Sequence, residues 1–161
     1  MSVHVKSVGE RRVLHFATLD EVVADAERLV ASPQVTTLGT WPLERLLTHL
    51  TFAINGSLDG IDQKAPLYIR LFVRPFRNRF LTRTMRAGFK LPKQFEASFF
   101  PSSPSVEVAL EQLRHAVERS KVQPMIACHP VLGKLSHEQW TQLHLRHAEL
   151  HLSFAIPEAS P

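Results

Sequence analysis

The chain has 161 residues, 44% of them hydrophobic and 21% charged, which is enough to bury one core and too apolar for a disordered or fibrous protein. Its one cysteine, Cys128, excludes an internal disulfide framework, and the stretch holding Val3, Val5 and Val8 has no continuous apolar run to serve as a secretory or membrane segment, so a reducing, cytoplasmic setting is expected. The net charge of +4 is unevenly placed: nine cations from Lys64 to Lys93 meet no Asp or Glu between Asp62 and Glu96, which leaves the rest of the chain net acidic.

Thr18-Leu19-Asp20-Glu21 has the form of a capping box, and Leu19, Val22, Val23, Ala26, Leu29 and Val30 follow at helical spacing, so a first helix is expected over 19–31. Ser32-Pro33 stops it. A second helix should open with Thr40 as N-cap and Pro42 in the first turn, carry Leu43, Leu46, His49, Leu50 and Ala53, and end near Asn55-Gly56. From Ser57 to Phe100 the pattern is irregular, with one helix expected over 66–85 that Pro75 must kink or break.

Ser103-Pro104-Ser105 then opens a helix through Val106, Ala109, Leu110, Leu113 and Val117 to about Lys121. Pro124, Pro130 and Gly133 mark a loop. Ser136-His137-Glu138-Gln139 is a second capping box, and its helix should run to about Ala155. No strand-length alternation competes with these periods. The expected architecture is all-α: one domain over 1–161, an antiparallel four-helix bundle with a partly helical, basic and aromatic insertion over 57–100 and a flexible tail over 156–161.

At about 100° per residue, Trp140, Leu143, His147, His151 and Phe154 share one stripe of the last helix, which reads as its buried face, with His144 at the edge. Imidazoles at i and i+4 can bite a single ion, and His49 on a facing helix, beside Leu46, Ala53 and Gly56, would complete a three-histidine set. Core histidines also occur as simple hydrogen-bonded residues. Three of them with no carboxylate beside them would each cost desolvation or repulsion, whereas one cation satisfies all three. Glu44 and Glu149 are expected to point away from the histidines.

Other features carry plainer readings. His129 and His144 read as hydrogen-bonded or surface residues, with a proton shuttle or fourth ligand as the alternative. Cys128 shows neither a helix N-terminus nor a basic cluster to activate it. Tyr68, Phe72, Phe76 and Phe80 step by four through the arginines, a stripe expected to pack onto the bundle, with contact to nucleic acid, acidic lipid or a protein partner as the alternative. Leu145 and Leu152 lie opposite His147, so the insertion or a second subunit in a homodimer should cover them.

Trp41-Pro42-Leu43 followed by His49, His129-Pro130-Val131-Leu132-Gly133, and Trp140 through His147-Ala148-Glu149-Leu150-His151-Leu152 together resemble the DinB-like, YfiT-like superfamily of metal-dependent enzymes, in a branch of unknown function. The resemblance covers most of the chain. It implies a four-helix bundle with a divalent ion, zinc, nickel or iron, held by His49, His147 and His151. It also implies a transferase or hydrolase acting on a small-molecule substrate, since several members join a low-molecular-weight thiol to an electrophile. Leu150 and Phe154 depart from it, standing where relatives often have a second histidine and a glutamine.

Overall fold

The structure, a computed structural model, describes residues 11–61, 65–85 and 104–158. Positions 62–64 and 86–100 of the expected insertion and 159–161 of the expected tail lie outside the described residues. The chain is mostly helical, with two small antiparallel sheets.

Capping sets the helix starts that the sequence made legible. In α1 (Leu19–Ala31) the Thr18 hydroxyl accepts from the Glu21 N–H, and the Glu21 carboxylate accepts from the Ala17 N–H. The entry amides therefore keep partners that the helix ladder cannot give them. Helix α2 (Leu43–Asp59) differs from expectation at both ends: Pro42 is the cap, with no side-chain bond, and the helix continues past Asn55-Gly56 to Gly60. Gly56 is a packing residue, because a Cβ there would come within 2.8 Å of Ile61 Cγ1. The true terminator is Gly60 at φ 100°, a conformation that favours glycine.

The basic stretch forms α3 (Leu67–Val73), a 3₁₀ turn over Arg74–Phe76, and α4 (Arg77–Thr82), so Pro75 breaks the expected helix as its missing N–H requires. Helix α5 (Val106–Val122) starts at Ser105, which accepts from the Val108 N–H. In α6 (His137–Leu152) the Ser136 hydroxyl and the Gln139 side chain each accept from the other's backbone N–H.

Helix α6 stops at Leu152, short of Ala155, because the next residues turn into a strand. Strand β4 (Ala155–Pro157) pairs antiparallel with β1 (Val35–Thr37), Thr36 opposite Ile156. A second pair, β2 (Cys128–His129) with β3 (Gly133–Lys134), makes a hairpin within the expected loop. Neither pair of strands was among the expected elements. These strands are two or three residues long, too short for alternation to show.

Helices α1, α2, α5 and α6 pack on one another around Leu29, Leu47, Leu113, Val117 and Leu152, each 1% exposed or less. Leu145 and Leu152 belong to this core, so α1 and α2 cover the side of α6 that was expected to need the insertion or a second subunit. A smaller cluster of Leu81, Met125, Leu132, Leu135, Trp140 and Leu143 lies where α4 packs against α6. The segment before α1 closes the other end: Arg12 donates two bonds to Asp25, at 2.8 and 2.7 Å, and one to the Leu152 carbonyl. Asp25 is 1% exposed, and the paired guanidinium is what lets a carboxylate sit there.

Among the described residues no helix is long and apolar enough to cross a membrane.

Candidate metal centre

His49 comes from the middle of α2, and His147 and His151 from the last two turns of α6, where the packing of α2 on α6 brings the three imidazoles together. His49 is buried and the other two are half-buried. His147 Nε2 lies 3.1 Å from His49 Nε2 and 2.9 Å from His151 Nε2. One ligand nitrogen from each ring falls within 4.8 Å of the other two, and among the described residues this is the group able to share an ion. The three residues singled out from sequence are the three that converge.

Such convergence has a cost without a shared partner. An imidazole nitrogen offers either one hydrogen or one lone pair, so His147 Nε2 can make one well-aligned bond, not two. Burial also holds the rings neutral: it pulls His147 down to about 4, and it pulls His151 well below the ordinary value, helped by the nearby His147 and His49. At neutral pH these two rings are therefore uncharged and carry lone pairs. A cation about 2.1 Å from each nitrogen needs those nitrogens roughly 3.0–3.4 Å apart, close to the spacing seen. The donor set fits a divalent transition ion.

Trp41, just before α2, orders the rings. It stacks on His151 with centroids 5.5 Å apart and planes 2° from parallel, and meets His49 edge-on at 5.3 Å. Arg45 lies over the other aromatic partner in this group, 5.2 Å from the Trp41 ring. The sequence pointed to Trp41 through the resemblance alone, since spacing gives no sign that a residue outside the helix will stack on its far neighbour.

His144 is not at the edge of a buried face but fully inside, 4% exposed and stacked on Trp140 at 5.3 Å. The Ser57 hydroxyl gives its proton to the Ile54 carbonyl at 2.6 Å, so the His144 Nε2–H donates to Ser57 Oγ at 3.0 Å. Burial, then the charges of His147 and His129, pulls His144 down to about 3. His129 accepts from the Val131 and Leu132 N–H groups at Nδ1, both at 3.0 Å, which leaves its proton on Nε2. Burial and His147 pull it to about 4. Burial keeps both histidines neutral while the hydrogen bonds set which nitrogen holds the proton, and neither joins the three-nitrogen group.

Glu149 points away from the centre, as expected, but it is buried at 2% exposure. It accepts from the Phe16 N–H at 2.9 Å and forms an ion pair with Arg146 at 2.8 Å, anchoring the segment before α1. The exposed Cys128 thiol lines a surface groove together with Arg74, Arg77 and Lys134. Those arginines come from a distant stretch, which local sequence around Cys128 could not show.

A family model described as protein of unknown function (DUF1569) matches residues 8–158, nearly the whole chain. The chain belongs to the DUF1569 family. No curated protein and no solved structure matches it. The three converging histidines of this DUF1569 chain all fall inside the matched residues, as do Trp41, His129 and His144.

Proposed function

We propose that the chain is a divalent-metal-binding domain in which His49, His147 and His151 hold one zinc, nickel or iron ion, and that it works as a metal-dependent transferase or hydrolase on a small molecule such as a low-molecular-weight thiol. The observation that carries this reading is the meeting of three Nε2 atoms, 3.1 and 2.9 Å apart about His147, where one ring nitrogen cannot make two well-aligned hydrogen bonds. The four long helices are, on this reading, the antiparallel bundle of the DinB-like kind, with α2 giving one ligand and α6 two.

The protein's own contribution would be orientation and dryness. Neutral rings at His147 and His151 present lone pairs without first losing a proton. Trp41 fixes the ring planes and covers one side. A divalent ion held by three imidazoles supplies a Lewis acid that brings a thiol or water into its reactive range near neutral pH. No carboxylate joins the group among the described residues, and the neutral Nε2–H of His129, whose ring lies close enough to His147 to feel its charge, would be available to donate a hydrogen bond to a substrate.

Elemental mass spectrometry on untagged protein tests the reading. Wild type should carry about one ion per chain, and His49→Ala and the His147→Ala, His151→Ala double variant should carry under about a tenth of that while keeping their helical circular dichroism. Folded wild-type protein that takes up no zinc, nickel or iron under anaerobic addition would sink the proposal.

A further inference from the structure

Amphipathic helices normally dock with their apolar face down, and α3 does the reverse. Of the ten large hydrophobic side chains exposed among the described residues, six lie between Leu67 and Phe80: Leu67, Tyr68, Leu71, Phe72, Phe76 and Phe80. On α3 the first four span about 140° of the helix surface. Phe72 is 75% exposed and Leu71 69%. The opposite side of α3 is what faces the protein, with Val73 packed against the Leu81 and Met125 cluster. The expectation that the four-step aromatic stripe would pack onto the helices is thus overturned.

Charge narrows what this face can meet. Arg70, Arg74, Arg77, Arg79 and Arg83 lie along the same stretch, and residues 65–85 hold no Asp or Glu. The Arg74 guanidinium lies against Gly133, whose φ of 82° and lack of a Cβ leave room for it. Lys134 extends the positive rim through the groove it shares with Arg74 and Arg77. A second copy of the chain would set these arginines against themselves. A nucleic acid would suit the arginines and the rings, but would leave Leu67 and Leu71 with no stacking partner.

We propose that α3 and α4 form a docking surface for an anionic lipid bilayer, the leucines and phenylalanines entering the boundary between headgroups and acyl chains while the arginines reach the lipid phosphates. Both chemistries are met at once there: apolar area leaves water, and long cationic side chains snorkel to the anionic plane. The described helices are too short and polar to span a membrane, so the chain would lie on the surface. Nothing in this proposal depends on the histidine centre, and the metal-free His147→Ala, His151→Ala variant should dock as wild type does.

Flotation of the full chain with vesicles of phosphatidylcholine alone, or with about a third phosphatidylserine, is the test. Binding should be at least about tenfold tighter on the acidic vesicles, and both Phe72→Ser, Phe76→Ser and Arg77→Glu, Arg79→Glu should lose about tenfold or more. These side chains are exposed, so the variants should keep their fold, checked by circular dichroism. Equal binding to neutral vesicles, or binding that neither pair of substitutions weakens, would overturn the proposal. So would two other outcomes: a dimer in sedimentation that Phe72→Ser, Phe76→Ser dissolves, which gives the face to a second copy, or tighter binding to a single-stranded oligonucleotide that Leu67→Ser, Leu71→Ser leaves unchanged.

Discussion

Helices α3 and α6 both break the rule that apolar groups face inward and polar groups outward, in opposite senses. Helix α6 turns His144 fully inward and His147 and His151 partly so. Helix α3 turns Leu67, Leu71 and Phe72 outward into water. Each arrangement is unfavourable in the isolated chain, the first through imidazoles stripped of water and the second through apolar area left wet. A violation of this kind is stable when the rest of the fold outweighs it, and it is useful when a partner relieves it. On the two proposals above, the helices would take chemically opposite partners, a cation inside and an amphipathic surface outside.

The largest test of that contrast is stabilisation by metal. Because an ion that binds only the folded chain adds RT ln(1 + [L]/Kd), zinc or nickel at a thousandfold excess over its Kd should stabilise wild type by about 4 kcal/mol. For a chain of this size that is a rise in Tm of roughly 10 °C. His147→Ala should show almost none of it, having lost the ring that lies within 3.1 Å of both others. An equal rise in the variant, read by differential scanning fluorimetry, would place the ion elsewhere.

The asymmetry between the two helices also governs what could be read from the sequence. The patterns at Thr18 and Ser136 gave the starts of α1 and α6 to the residue: at Ser136 both bonds of the capping box form, and at Thr18 the hydroxyl bond forms while Glu21 accepts from the Ala17 N–H, one residue before the cap. His49, His147 and His151 were legible because helical spacing and a facing helix suffice to bring them together. Asn55-Gly56 misled because a glycine that serves close packing against Ile61 looks the same as one that ends a helix. The burial of His144 and the exposure of Phe72 depend on which elements pack against α6 and α3, and periodicity gives only the faces, not their neighbours. The same holds for Leu152, whose apolar side was visible but whose cover was not.

A smaller effect should appear on acidification of the metal-free chain. His144 titrates at about 3 in the fold, against an ordinary value near 6.5, and its main cause is burial. The unfolded chain therefore takes up a proton at a pH where the folded one does not, and the stability present above about 6.5 is lost as the pH falls from there toward 3. The slope is about 1.4 kcal/mol per pH unit for such a histidine. Urea titrations at pH 7, 6 and 5 should show the midpoint falling, and His144→Gln should flatten the fall by about that amount. A midpoint independent of pH across this interval would mean that the buried ring is hydrated or ionised in the fold.

The smallest expected effect is the most telling about α3. Phe72→Ser removes a large aromatic side chain, a change that in a core costs about 3–5 kcal/mol. At 75% exposure there is little packing to lose and no cavity to open, so the unfolding free energy should move by no more than about 0.5 kcal/mol. The substitution also replaces wet apolar area with a hydroxyl, which should improve solubility. A loss of several kcal/mol in urea unfolding would show that Phe72 is covered in solution, by this chain or a second copy of it, and the contrast with α6 would disappear. A near-zero change combined with lost binding to acidic vesicles would instead separate the two roles cleanly, because a side chain that contributes nothing to the fold yet is needed for docking can owe its place in the sequence only to the partner.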